Sequence, residues 1–196
     1  MSKNFQKVLL AFFEHFDYDE IEGLRDSIKG FASVKRSDMA KEHKALEPDE
    51  DISENDLQEF RASLSSDMDF LWEIEGLSDE LCILALYKKL EITMTKVLSR
   101  FYPALKKSQL HNIDYVKRSL PFDITALVGY LSMDEVRLIN NSIKHGGVVS
   151  KSLSSYPGWV EKAPLVKLDE AFTRLAPGIR DYVASVCRAI RIERGL

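Results

Sequence analysis

The chain has 196 residues, of which 45% are hydrophobic and 30% are charged, and its formal net charge at pH 7 is −4. This composition is typical of a globular protein with one domain, or one domain and an appendage, and it excludes a disordered chain. The acidic balance also argues against a protein that binds duplex nucleic acid through a uniformly basic surface.

Several signatures that would define a location or a cofactor are missing from the sequence. It has no run of about 18 apolar residues and no signal-peptide cleavage site near its start, so we expect a cytoplasmic protein that does not enter a membrane. It also has no HExxH, CxxC or GxSxG motif and no glycine-rich phosphate loop, so we expect no metal and no cofactor. Cys82 and Cys187 are interpreted as buried hydrophobic residues, and a disulfide or metal pair is the alternative.

The N-terminal third is predicted to be helical. Apolar residues recur at three- and four-residue intervals from Asn4 to Phe16, which predicts a helix with a broad aromatic face that must be buried. The same period continues from Ile21 to Phe31 and fades near Lys35. Residues 37–56 lose the period and contain six carboxylates between Glu47 and Asp56. We interpret them as a solvated acidic loop, and a partner-binding tail or nucleic-acid mimic is the alternative.

Two helices are predicted in the middle of the chain. The first runs from Asp56 to Glu75 and is ended by Gly76. Ser78 caps the second, whose apolar residues between Leu81 and Phe101 cover more than half of its circumference, as expected for a central helix. Pro103 ends it.

The polar face of this central helix is interpreted as a solvated strip or a set of interhelical ion pairs. It carries Lys88, Lys89, Glu91, Thr95, Lys96 and Arg100. A local basic patch with interleaved aromatic and histidine side chains is the alternative for the next stretch, which carries Tyr102, Lys106, Lys107, His111, Tyr115, Lys117 and Arg118.

The remaining elements are also helices and loops. Short helical segments are predicted around residues 113–120 and 124–131, and Asp123 is a cap for the second. Serine, proline and glycine predict a loop from Val148 to Pro164, which Trp159 attaches to the body of the protein. A last helix covers residues 165–192, kinked or split by its internal Pro-Gly pair. No strand is predicted, so the expected fold class is all-α.

One stretch, SMDEVRLINNSIKHGG at residues 132–147, combines clear helix boundaries with chemically capable side chains. Ser132 and Glu135 have the spacing of a capping box, in which each side chain binds a backbone N–H of the first turn. Gly146 and Gly147 provide the left-handed conformation that ends a helix.

Five polar side chains of this helix share an arc of about 140°, opposite the stripe of Val136, Ile139 and Ile143 that would face a core. They are Arg137, Asn140, Asn141, Lys144 and His145. Such a cluster can hold a phosphate and supply a proton acceptor near neutral pH without a metal. An ordinary solvated helix end is the alternative interpretation.

The residues RLINNSIKHGG, placed after a long central helix and before a loop and a long terminal helix, resemble the HEPN superfamily (higher eukaryotes and prokaryotes nucleotide-binding domains). The resemblance implies a bundle of four to five core helices, here with additional N-terminal helices. Many members are dimeric, metal-independent ribonucleases of toxin, antiphage-defence and RNA-processing systems. The family motif is an arginine followed after four to six residues by a histidine. His145 corresponds to that histidine, and Arg137 precedes it by seven intervening residues.

Roles for the polar cluster follow from the resemblance. His145 would accept the proton of a ribose 2′-hydroxyl, while Arg137 and Lys144 stabilise charge at the phosphorus. Asn141 would orient a phosphate oxygen, with Asn140 as a further polar contact to RNA.

The predicted organisation is N-terminal helices at residues 1–36, the acidic loop at 37–56 and the HEPN-like bundle at 57–196. Because the arginine is displaced from its family position, RNA binding is expected more strongly than RNA cleavage. A homodimer is expected from the same resemblance. The alternative function is a non-catalytic helical scaffold that binds a cognate protein partner.

Overall fold

The computed structural model describes residues 2–45 and 53–196, which fold into six α-helices and three short 3-10 helices. The α-helices are α1 (Lys3–Glu14), α2 (Asp19–Ala45), α3 (Glu54–Phe101), α4 (Ile113–Ser119), α5 (Tyr130–Lys144) and α6 (Leu168–Glu193). Within these two ranges there is no β-strand, only an isolated bridge between Val148 and Pro164. The predicted all-α fold class is therefore confirmed.

The chain divides into two compact units. We call residues Met1–Tyr18 and Ile83–Leu196 the core unit, and Asp19–Cys82 the insert unit. Helix α3 contributes residues to both. The predicted boundaries at residues 36 and 56 differ from this division, because α1 packs on α6 near the C-terminus instead of grouping with α2.

Helix α6 provides the central apolar stripe of the core unit. Its fully buried residues recur every three or four positions, as a helix packed along one face requires, and include Phe172, Ile179, Val183, Val186 and Ile190. The helix is continuous through its proline, so the prediction of a split was wrong. The backbone bond that the proline removes is a local loss, whereas the buried neighbours on both of its sides hold the helix in place.

Helices α5 and α6 approach closely where three small residues meet. A side chain on Gly129 would collide with the backbone of Gly178, and one on Gly178 would collide with the side chain of Ser132. Both glycines therefore allow backbone contact at this crossing, which brings the first turn of α5 directly against α6.

The predicted interruption of the middle helix at Gly76 and Ser78 was wrong, because α3 is continuous over 48 residues. A glycine inside a helix costs only about 1 kcal/mol relative to alanine. Ion pairs on both sides of Gly76 join α3 to α2, with Arg36 at 2.8 Å from Glu75 and Lys29 at 3.1 Å from Asp79. These ion pairs keep the segment helical.

Helix α2 continues to Ala45, so the loop predicted from residue 37 was wrong for its first nine positions. Side chains one turn apart support this polar end of the helix, as with Lys41 at 3.2 Å from Asp38. Residues 46–52 of the predicted acidic loop lie outside the described residues. Ser53 then accepts a hydrogen bond from the backbone of Asp56 and starts α3.

The aromatic face predicted for the first helix is only partly buried, which corrects that expectation. Leu10 is fully buried and Phe16 is nearly so, but Phe5, Val8 and Phe12 are 49%, 68% and 73% exposed. Helix α1 therefore packs through a narrow stripe and leaves apolar side chains on its surface.

Two further predictions concern the cysteines and the membrane. Cys82 and Cys187 are both buried, as predicted, and both are free thiols. None of the helices in the described part of the chain combines the length and the apolar character needed to cross a bilayer.

Candidate functional site at the C-terminal end of helix α5

Helix α5 begins earlier than its sequence predicts. Its N-cap is Gly129, with a φ of 82°, and Ser132 lies inside the helix against α6. The predicted capping box of Ser132 and Glu135 was therefore wrong, because α5 packs closely on α6 at this point and begins three residues earlier, at Tyr130.

Glu135 instead belongs to a buried network that sequence reasoning missed. Its carboxylate accepts two hydrogen bonds from the Arg174 guanidinium, at 2.6 and 3.0 Å, and one from Trp159 Nε1 at 2.7 Å. The hydrogen bonds to Glu135 raise the pKa of the Arg174 guanidinium above its ordinary value. Trp159 thereby attaches the loop after α5 to the helix, which confirms that prediction.

The C-terminal end of α5 lies where it was predicted. His145 is the C-cap residue, and Gly146 and Gly147 follow with φ values of 113° and 69°. The N–H of Gly147 donates to the carbonyl of Ser142 at 2.9 Å, so the last turn is closed by a backbone bond.

The five predicted site residues separate into three environments. Asn141, Lys144 and His145 are exposed at the end of the helix, and we call these three residues the α5 tip. Arg137 is partly buried one to two turns earlier, and Asn140 is only 2% exposed. Among the described residues, the side chains of Lys144 and His145 have neither an ion-pair partner nor a hydrogen-bond partner.

Asn140 is buried because it lies beside the apolar stripe and not on the solvent side of the helix. Its side-chain amide donates to Asn141 Oδ1 at 3.3 Å. Asn140 therefore supports the tip through its neighbour and is not available as a surface contact to RNA.

Arg137 is bound by a carboxylate that was not among the predicted residues. Its Nε and one terminal nitrogen donate to Asp134 Oδ1 at 3.0 and 2.7 Å. Tyr156 donates its hydroxyl to the other oxygen of Asp134 at 2.8 Å. Burial, followed by this bond, raises the pKa of Tyr156 above its usual range. The Asp134–Arg137 spacing of three residues is the signal that could have predicted the pair.

A cleft of about 670 Å³ lies beside this ion pair, lined by Arg137, Asp134, Tyr156, Lys117 and Ser155 among others. Lys117 contacts the ring of Tyr130, with its ammonium 5.4 Å from the ring centre. A hydrogen bond to Tyr130 raises the pKa of Lys117. The cleft thus contains cations that already have partners, in contrast to the α5 tip.

The described residues contain no group of three or more histidine, cysteine or acidic side chains placed to hold a metal ion. The α5 tip contributes an amide, an ammonium and an imidazole group, all of which can donate hydrogen bonds to an anion. The imidazole is also the one group among them that can accept a proton.

Charge is divided unevenly between the two units. The core unit has 20 lysine and arginine residues against 12 acidic residues, a formal net charge of +8. The insert unit has seven basic residues against 19 acidic residues, a net charge of −12. The overall value of −4 therefore conceals a basic unit, whose net charge favours the binding of an anionic ligand such as a nucleic acid.

No relative identifies the chain. No family model, no curated protein and no solved structure matches it. A function is therefore inferred from the side chains of the α5 tip and from the positive charge of the core unit.

Proposed function

We propose that the core unit is a HEPN-like RNA-binding domain that forms a homodimer and binds single-stranded RNA at the α5 tip. The all-α fold, the histidine followed by two glycines at the end of a buried helix and the net charge of +8 support this proposal. The resemblance implies that the protein belongs to a toxin or antiphage-defence system.

The observation that carries the proposal is the exposure of Asn141, Lys144 and His145 together at one helix end. Lysine supplies a point charge for a phosphate, and the amide and imidazole supply hydrogen bonds in the same region. The apolar face of α5 and the bond that closes its last turn hold the three side chains on a rigid support.

Binding is better supported than cleavage. The role implied for Arg137 is stabilisation of charge at the phosphorus, but its guanidinium is bound to Asp134. Arg137 also lies eight residues before His145, which is about 12 Å along a helix axis. A phosphate at His145 would therefore meet Lys144 before it could meet Arg137.

The test measures the binding of a fluorescently labelled oligouridylate to the full-length chain. Fluorescence anisotropy reports the affinity at each of a series of salt concentrations. We expect Lys144→Glu to weaken binding and to reduce the magnitude of the salt slope by about 0.7, the value for one lost phosphate contact on a single strand. His145→Ala should weaken binding with little change in that slope.

His43 and Lys44 provide matched controls, because they occupy the last turn of α2 in the acidic unit. Lys44→Glu makes the same change in net charge as Lys144→Glu, and His43→Ala the same truncation as His145→Ala. Equal losses in the two pairs would contradict a site at the α5 tip. Light scattering on the same samples measures whether the protein is a dimer.

Incubation of the oligouridylate without added metal separates binding from cleavage. We expect the RNA to stay intact. Cleavage by the wild type that His145→Ala abolishes would contradict the preference for binding and assign His145 as a proton acceptor.

The alternative function, a scaffold that binds a protein partner, is favoured by one observation in the insert unit. Phe60 and Phe70 are large apolar residues that are exposed in this unit of net charge −12. The same titration separates the two functions, because a scaffold of this kind would not retain the oligouridylate.

A further inference from the structure

A groove in the core unit carries more basic side chains than the α5 tip. It encloses about 580 Å³ along the C-terminal half of α3 and the connection to α4. Four of its side chains are cationic or can become so, namely Lys88, Lys96, Lys107 and His111, and we call it the lysine groove. Thr95 and Ser99 add hydroxyl groups between them.

Only one of the three lysines in the lysine groove is paired with an acidic residue of the groove. Its one acidic lining residue is Glu91, which already pairs with Lys88 at 3.4 Å. Over residues 2–45 and 53–196, Lys96 and Lys107 have no carboxylate within ion-pair distance, and both are exposed. Lysines without an acidic partner around a concave surface concentrate positive potential and attract an anion.

The groove is also elongated along the helix. Lys88 and Lys96 are eight residues apart on α3, which corresponds to about 12 Å along its axis. Lys107 and His111 line the groove from the connection between α3 and α4. Charges spread over such a length fit a chain of phosphates better than a single phosphate group.

A second cleft adjoins the lysine groove and brings aromatic rings to it. It is formed by α1 and α3, encloses about 430 Å³ and shares Lys96 and Ser99 with the groove. Phe5 and Phe13 line it, and Phe5 is half exposed. A basic groove beside accessible aromatic rings is the arrangement with which proteins hold single strands, because the phosphates track the cations and the bases stack.

We propose that the lysine groove is a second RNA-contacting surface, in which Lys96 and Lys107 bind phosphates of a single strand and Phe5 stacks on one of its bases. The inference rests on the proposed function for the identity of the ligand. It adds a site on α1, α3 and the α3–α4 connection, none of which contributes to the α5 tip.

The first test reverses two charges in the full-length chain, with Lys96→Glu combined with Lys107→Glu. We expect at least a tenfold loss of affinity for the labelled oligouridylate and a decrease of about 1.4 in the magnitude of the salt slope, the value for two phosphate contacts. The matched control combines Lys7→Glu with Lys162→Glu, two exposed lysines outside the groove. It changes the net charge equally and should leave most of the affinity and the slope unchanged.

The second test addresses stacking. Phe5→Ala should lower affinity by at least about fivefold without changing the salt slope, since one stacked base contributes an uncharged contact. Phe12→Ala is the control, because Phe12 is the more exposed ring on the same helix and lines neither cleft.

The outcomes distinguish this site from the α5 tip. Groove variants that behave like their controls, while Lys144→Glu still weakens binding, would overturn the groove and leave the proposed function standing. Loss in the groove variants alone would support the groove and overturn the α5 tip. A wild type that does not bind RNA would overturn both. Displacement of the strand by uridine monophosphate at equal concentration would overturn a strand-binding groove in favour of a nucleotide site.

Discussion

At the scale of single residues, burial decided which polar side chains of α5 can reach a ligand. Asn140 and Glu135 are 2% and 3% exposed, although one was predicted as an RNA contact and the other as a cap. A helical wheel places side chains by their angle around the helix axis alone. It does not include the loop and the helix that cover α5 on two sides. Their covering residues, Trp159 and Arg174, come from distant parts of the chain.

The Glu135 network gives a stability prediction. Arg174→Ala leaves a buried carboxylate with Trp159 as its remaining side-chain donor, so we expect the free energy of unfolding to fall by about 2 kcal/mol. This is less than for a fully buried pair, since about half of the Arg174 side chain is exposed. Urea denaturation measures the change.

Lys167→Ala is the control for Arg174→Ala. Lys167 pairs with Glu170 at 3.5 Å, and both side chains are about 70% exposed. Removing an exposed pair should change stability by less than about 0.5 kcal/mol. Similar losses in the two variants would show that Glu135 does not depend on its arginine.

At the scale of elements, two of the wrong predictions concern a glycine and a proline. Gly76 lies inside α3 and Pro177 inside α6, although each predicted an interruption. Such residues lower the helical preference of a few positions only. The ion pairs between α2 and α3 lie on both sides of Gly76, and the buried stripe of α6 continues on both sides of Pro177. These contacts keep both helices continuous.

The α5–α6 crossing gives a prediction for one of these glycines. Gly178→Ala should lower the free energy of unfolding by about 1 to 3 kcal/mol, because the new methyl group collides with the side chain of Ser132. Adding Ser132→Gly should recover part of the loss. Thermal unfolding followed by circular dichroism measures both.

Gly30 in α2 is the matched control for this substitution. A methyl group there would have no atom within 4 Å, so Gly30→Ala should stabilise the protein by about 0.5 to 1 kcal/mol through helical preference. If both alanines stabilised the protein, the close crossing of α5 and α6 would be wrong.

At the scale of the whole molecule, the fold class and several helix positions were predictable, but the grouping of helices was not. Periodicity identified α5 and α6 because each has an apolar stripe of its own. The association of α1 with α6 joins residues more than 150 positions apart, and no local pattern encodes it. The charge difference between the units became visible only after that grouping was known.

Burial in the core unit predicts a loss of stability in alkaline solution. Burial raises the pKa of Cys187 from about 9 to about 12 and that of Tyr87 from about 10 to about 12. Between about pH 9 and about pH 12 the unfolded chain therefore releases protons that the folded chain keeps, so the free energy of unfolding falls as pH rises.

Cys187→Ala tests this pH dependence. The slope of unfolding free energy against pH should become shallower by about 1.4 kcal/mol per pH unit in that range, the value for one proton. Tyr87→Phe should have the same effect above about pH 10. Denaturant titrations at a series of pH values measure the slope, and an unchanged slope in both variants would contradict the burial of these groups.

The two tryptophans have a practical consequence for spectroscopy. Trp72 lies in the insert unit, with the Arg36 guanidinium 3.8 Å from its ring centre, and Trp159 lies in the core unit, bound to Glu135. Since the chain has no other tryptophan, each unit contains a single intrinsic fluorophore in its own environment. In Trp72→Phe the remaining emission follows the folding of the core unit alone. In Trp159→Phe it follows the folding of the insert unit alone.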